Sequence, residues 1–244
     1  MARAYFTRAI GRDWLGGMGD LVSYASNGGT SEGYLAEPAA PNGRAVIVIQ
    51  EWWGLVGHIT DIADRFAAAG FVTLAPDLYH GVKTSEPDEA GKLMMGLAMD
   101  QAAKDMAGAA AYLAALPEVT GGVGTVGFCM GGSLALWSAT LSPHIRAAVG
   151  FYPAVPWERM SPEWTNYAGK AAQLHCSEED GTSAAPGIQQ AVAAIKDAGG
   201  TVEVYDYPGT RHAFFNDERP EVYDAAASTA AWERTLAFLN ANLG

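Results

Sequence analysis

The sequence predicts a mostly parallel, doubly wound α/β fold, and three features carry that prediction. Short apolar runs rich in β-branched residues recur along the chain, helix-length stretches separate them, and the runs are apolar throughout rather than at alternate positions. A strand of that kind is covered on both faces, and strand, helix and strand in repetition give a parallel sheet with right-handed crossovers.

Taken in order, residues 1–18 show no clean period and are set apart as an N-terminal extension, leaving 19–244 as the domain. Ala25 to Ser31 (ASNGGTS) reads as a turn joining two antiparallel edge strands. Ala45 to Gln50 is the first long strand. Ile59, Ile62, Ala63, Phe66 and Ala69 then recur at helical spacing, and Gly70 is placed to end that helix. Further strands are read at Phe71 to Leu74, Val123 to Phe128, Ala147 to Tyr152, Ala171 to Cys176 and Val202 to Tyr207. Pro87 to Leu116 reads as helix weakened at Gly91 and Gly96, with Met94, Met95 and Met99 as core or pocket lining. The irregular stretch from Pro153 to Lys170 follows a strand, which puts it near the carboxyl edge of the sheet, where ligands bind in such folds.

Composition bounds the function. A chain of 244 residues fits one domain and can bury roughly 70% of its unfolded surface. It is 49% hydrophobic and 17% charged, with 15 basic against 27 acidic residues and a net charge of -12, which argues against a nucleic-acid surface. No stretch approaches the roughly 18 apolar residues of a membrane span, and the first residues hold three arginines without an uninterrupted apolar run, so a cytoplasmic protein is expected. Cys129 and Cys176 are expected to be free thiols. No HExxH or paired-cysteine spacing is present, so neither a metal nor another cofactor is expected. The expected partner is a small molecule, and the chain a monomer or homodimer.

One motif carries chemistry. The strand VGTVGF runs into Cys129-Met130-Gly131-Gly132-Ser133 and then into a helix-like LALWSAT. Gly127-x-Cys129-x-Gly131 is a nucleophile elbow with sulfur in place of oxygen, in the strand-turn-helix context that the elbow requires. Its glycines allow a strained turn in which side chains at those positions would collide with neighbouring backbone. Cys129 then projects beside a helix N-terminus, whose dipole favours a thiolate. Ser133, four residues on, lacks its own glycine-flanked elbow and reads as helix packing.

An elbow of this kind needs an acid after a later strand and a histidine after the last. Glu178, Glu179 and Asp180 follow the Ala171 to Cys176 strand, with Asp180 the best placed. His212 follows the final strand, whereas His58, His80, His144 and His175 have packing or surface readings. The oxyanion donors would be the backbone N–H of Met130 and one within Glu51-Trp52-Trp53-Gly54.

These residues resemble the dienelactone hydrolase (carboxymethylenebutenolidase) family of the α/β-hydrolases. The resemblance runs from about Gly19 to the C-terminus and rests on Gln50-Glu51 with Gly54, Ala75-Pro76-Asp77-Leu78-Tyr79, Gly127 to Gly132, Asp180 and His212-Ala213-Phe214. It implies a Cys129/Asp180/His212 triad, an oxyanion donor at the Trp52 backbone, and a part for Glu51 in forming the thiolate. The expected reaction is hydrolysis of a small ester or lactone through a cysteinyl thioester. The competing reading is a binding or redox-sensing protein in which Cys129 is oxidised rather than acylated. The chain departs from the family where two arginines hold a substrate carboxylate: Gly81 and Asn216 stand there. Trp53, His80, Arg211 and Asn216 are the candidate substrate contacts.

Overall fold

The computed structural model describes residues 19–154 and 157–244. The N-terminal extension 1–18 lies outside the described residues, as do Val155 and Pro156 within the irregular stretch.

Eight strands form one sheet in the order β1-β2-β4-β3-β5-β6-β7-β8. β1 (Asp20–Ser26) and β2 (Gly29–Ala36) make an antiparallel hairpin, and β2 pairs antiparallel with β4 (Val72–Pro76). Its turn is the dipeptide Asn27-Gly28, both residues at positive φ, as a two-residue hairpin loop demands. β3 (Ala45–Ile49), β4, β5 (Val123–Phe128), β6 (Ile145–Phe151), β7 (Ala171–Ser177) and β8 (Thr201–Tyr207) are parallel.

Alternate residues of a buried strand serve opposite faces, and β3 shows the division. Ile47 and Ile49 join a core built with α3 (Met99–Ala114), α4 (Met130–Leu141) and α5 (Pro186–Asp197), while Val46 and Val48 join one built with α1 (Gly57–Ala68) and α6 (Ala225–Asn242). Every residue of α4 from Met130 to Thr140 is buried, so the helix that starts at Cys129 is packed on all sides. A wall held this tightly fixes the position of Cys129.

The stretch read as one helix from Pro87 to Leu116 is two: α2 (Pro87–Gly96) and α3, separated by extended backbone at Leu97 and Ala98. The break has a partner. Arg159 donates to the carbonyls of Met94, Met95 and Leu97 at the end of α2, of which Met94 O also accepts from Leu97 N. Between β6 and β7, the irregular stretch holds two short 3₁₀ turns, Trp157–Arg159 and Trp164–Tyr167. Among the described residues, no helix is long and apolar enough to cross a membrane.

Candidate active site

The turn at Cys129 is as tight as its glycines suggest. Cys129 has φ 55 and ψ -118, a costly conformation for a residue with a side chain. A Cβ on Gly127 would meet the Gly131 carbonyl, and one on Gly131 would meet the carbonyls of Gln50 and Ile49. Backbone bonds pin the turn: the Cys129 N–H donates to Phe151 O (3.0 Å), and the Cys129 carbonyl accepts from Gly132 N (3.0 Å) and Ala154 N (3.3 Å). Met130, the first helical residue, presents an N–H that α4 cannot satisfy internally.

His212 reaches this turn from the loop after β8. Its Nδ1 lies 2.7 Å from Asp180 Oδ2, and its side chain also hydrogen-bonds Cys129. Burial disfavours a charged imidazole, but the hydrogen bonds and charges of Asp180 and Cys129 outweigh it and push the pKa of His212 up to about 10. Asp180 is shifted the other way: burial would raise it, yet the bonds from His212 and Ser177 hold it below the usual carboxylate range. Of the three adjacent acids, Asp180 is the one bonded to the ring. Glu178 accepts from Gly209 N, and Glu179 from His212 N and Arg211 Nε.

A cavity of about 190 Å³ opens over the thiol, with Glu51, Trp52, Trp53, His212 and Arg219 in its wall. The segment 51–54 is held rigidly. Trp53 O accepts from Thr84 N (3.0 Å), the two Trp rings meet edge to face at 4.9 Å, and a Cβ on Gly54 (φ +94) would strike the Val82 carbonyl. Glu51 is 2% exposed and accepts from Asn216 Nδ2 at 3.1 Å. Burial raises its pKa, and the counteracting pull of His212, Asn216 and Arg219 does not cancel that rise.

The four expected substrate contacts are distributed differently. Trp53 lines the cavity. His80 does not: at φ 51 its turn aims the ring at the buried Asp105 on α3, with Nε2 3.1 Å from Oδ2. Arg211 is drawn outward by Glu179 and by the Glu221 carbonyl. Asn216 is buried behind the cavity on Glu51. Gly81 donates its N–H to Asp77 and brings no charge.

Three neighbours of the site were given no role by the sequence, although Tyr79 stands in one of the motifs that carry the resemblance. Arg219, seven residues past His212 in the same loop, brings a cation to the cavity wall. Tyr79, whose hydroxyl lies 3.5 Å from Met130 Sδ, feels the charge of Cys129. Tyr152, read as the end of an apolar strand, sets its ring against His212 at 5.0 Å. A count of cations in the His212 loop would have found Arg219, although not its direction.

The other histidines are structural. His175 is bonded to Tyr207, Gln173 and Thr235, and burial with the nearby Arg234 lowers its pKa to about 3. Burial likewise lowers His58 to about 4. His144 is exposed in the turn before β6. Both cysteines are unpaired. Among the described residues, no group of three or more His, Cys, Asp or Glu could hold a metal ion.

A mostly parallel eight-stranded sheet with an elbow turn at the carboxyl end of its β5 defines an α/β-hydrolase. Within that class the chain belongs to the dienelactone hydrolase family, whose sequence model matches residues 31–243. It is 36% identical over 229 residues to protein usf of Aquifex pyrophilus, covering 91% of this chain and 97% of that one. It is 32% identical to an Aquifex aeolicus protein provisionally named carboxymethylenebutenolidase, covering 93% of this chain and all of that one (100%). Its fold superimposes on a dienelactone hydrolase-like promiscuous phosphotriesterase from metagenomic libraries with a TM-score of 0.79 at 20% identity, over 93% of this chain and 98% of that one.

Proposed function

We propose that this protein hydrolyses a small ester or lactone through a thioester at Cys129. One observation carries the reading: His212 is bonded on one side to the carboxylate of Asp180 and on the other to the side chain of Cys129 at the elbow. In the first half-reaction, His212 holds the proton of the Cys129 thiol, and the thiolate attacks the substrate carbonyl. The N–H groups of Met130 and Trp52 receive the oxyanion, each such donor contributing roughly 3 kcal/mol to the transition state. Collapse breaks the ester C–O bond, and His212 gives its proton to the departing oxygen. In the second half-reaction, His212 takes a proton from water, which attacks the thioester and returns the thiol. Asp180 holds the ring in the orientation and tautomer both halves need.

The cavity suits a small acyl group. Arg219 in its wall supports an acyl group carrying a carboxylate, in place of the family arginines that Gly81 and Asn216 replace. The test is turnover of a chromogenic short-chain ester together with mass spectrometry of the acyl-enzyme. The acyl mass is expected on the peptide containing Cys129, and Cys129→Ala is expected to lose most activity. Undiminished turnover in that variant would sink the proposal.

A further inference from the structure

Met94 is what α2 contributes to the wall of the cavity over Cys129. The 51–54 segment, the elbow and the His212 loop, which supply most of that wall, are each pinned by hydrogen bonds. The helix is held far less firmly. It buries one residue fully, Ala90. Its glycines answer no packing need: a Cβ on Gly91 or Gly96 would meet nothing within 4 Å, and neither sits at a positive φ. Glycine inside a helix weakens it relative to alanine, and an element with so little buried surface opens easily.

Two attachments keep this weak helix over the cavity. Ahead of it, Thr84 N donates to Trp53 O (3.0 Å) and Glu86 N to Thr84 Oγ1 (3.0 Å), which ties its approach to the 51–54 segment. Behind it stands Arg159, whose Nη1 donates to Met94 O (3.0 Å) and whose Nη2 donates to Met95 O (3.0 Å) and Leu97 O (3.4 Å). A guanidinium there meets both the last carbonyls of a helix and the negative end of its dipole. The turn that carries Arg159 is anchored in its own right. Trp157 is buried, its Nε1 donates to Gly187 O at 2.6 Å, and its ring meets Trp164 edge to face at 5.1 Å. The arginine is thus the fixed end of the tether, and one of the carbonyls it grips belongs to the residue in the cavity wall. The space so closed is small: about 190 Å³, below the roughly 300–1,000 Å³ of pockets for drug-sized ligands. Methionine, flexible and apolar, is suited to a boundary that an acyl chain presses against.

We propose that Met94 sets the length of the acyl chain that reaches Cys129, and that Arg159 is the positioning residue that keeps it there. Short acyl groups fit beneath Met94, and longer ones meet it and require α2 to shift. The inference deepens the ester reading above and rests on the cavity over Cys129 as the acyl site.

The test reads size selection in two ways. Iodoacetamides with N-alkyl chains from methyl to octyl are reacted with the protein, and peptide mass spectrometry follows Cys129 apart from the buried Cys176. In parallel, kcat and KM are measured for nitrophenyl esters of the same range of chain lengths. Met94→Ala is expected to raise the long-to-short ratio about tenfold or more, the discrimination that one methylene makes in an apolar pocket, and to do so through KM more than kcat. Met94→Trp should lower the same ratio. Arg159→Ala should raise it and quicken amide hydrogen exchange across residues 90–98, while Arg159→Lys, which keeps the charge without the fork, should recover part of both. Ratios unmoved in the two Met94 variants overturn the proposal. An Arg159→Ala protein with a lower melting temperature but the parent's ratio makes Arg159 a structural residue and overturns its part. Alkylation needs no ester turnover. A protein that hydrolysed no ester but whose alkylation ratios moved as stated would defeat the ester reading and uphold Met94 as the limit on what reaches the thiol.

Discussion

Two buried carboxyl groups in this molecule are treated in opposite ways. Asp105, on α3 beneath the β1–β2 hairpin, is 0% exposed, and Ser26, Ser31 and Gln101 all donate to its Oδ1, with His80 against Oδ2. Glu51, in the cavity wall, is 2% exposed and takes its side-chain bond from a single neutral amide. Burial removes water from both, and the protein replaces it with three donors on one oxygen of Asp105, whose Oδ2 faces His80 without a hydrogen bond, but with a single neutral donor at Glu51. The difference teaches that burial alone does not mark a functional acid. What sets Glu51 apart is its single donor in the wall of the cavity over Cys129, the nucleophile proposed above.

Four variants can break or sharpen that contrast. The largest effect is expected at Asp180, proposed above to orient the base: Asp180→Asn should lower kcat by about 10³- to 10⁴-fold, since an amide would hold the ring in the wrong tautomer. Its melting curve should change far less, as comparison of initial rates with calorimetry would reveal. Next, Asp105→Ala strands three donors and should cost about 3 kcal/mol in chemical denaturation. Ester turnover per folded molecule should be unaffected, and a loss of kcat would join the two regions that the comparison separates.

Glu51→Gln should do the reverse, lowering turnover by about 10²-fold, the lower end of what one positioned proton-transfer group contributes, without loss of stability. The sign with pH follows from the direction of its shift. Burial raises the folded pKa of Glu51 above the ordinary value of 4.5, so charging it in the folded state costs stability. That cost is absent well below pH 4.5 and grows as pH rises toward the folded pKa. The Gln variant should therefore gain stability relative to the parent at neutral pH and show no gain in acid, and a parallel offset at all pH values would contradict it. The smallest effect is expected for Arg211→Ala: the arginine faces outward to Glu179, so stability should change by no more than about 0.5 kcal/mol, with KM unchanged in steady-state assays.

The parts of the site legible in the sequence were those whose geometry is local. Gly127, Cys129 and Gly131 stand next to one another in the chain, and the collisions that make the glycines necessary arise within that turn and against β3. The strand and helix order was legible for the same reason, because apolar periodicity reports burial residue by residue. Where the reading went astray, the cause lay in distant partners or in single backbone torsions. The break between α2 and α3 depends on Arg159, more than sixty residues further on. His80 looks toward Asp105 rather than the cavity, and Tyr152 toward the base, through positive φ angles that no composition reveals. Asn216 was counted as a missing cation, whereas its place on Glu51 could be seen only once the two loops were folded together.

The order of the strands has a consequence for the chain as it is made. Cys129 ends β5 at the middle of the sheet, while Asp180 follows β7 and His212 follows β8. During synthesis from the N-terminus, at about 5–20 residues per second, the thiol therefore leaves the ribosome several seconds before its acid and base. A chain that stopped short of β8 would display the elbow without the group that arms it. Of the three groups in the proposed triad, the base is made last, and α6 follows it to close the core.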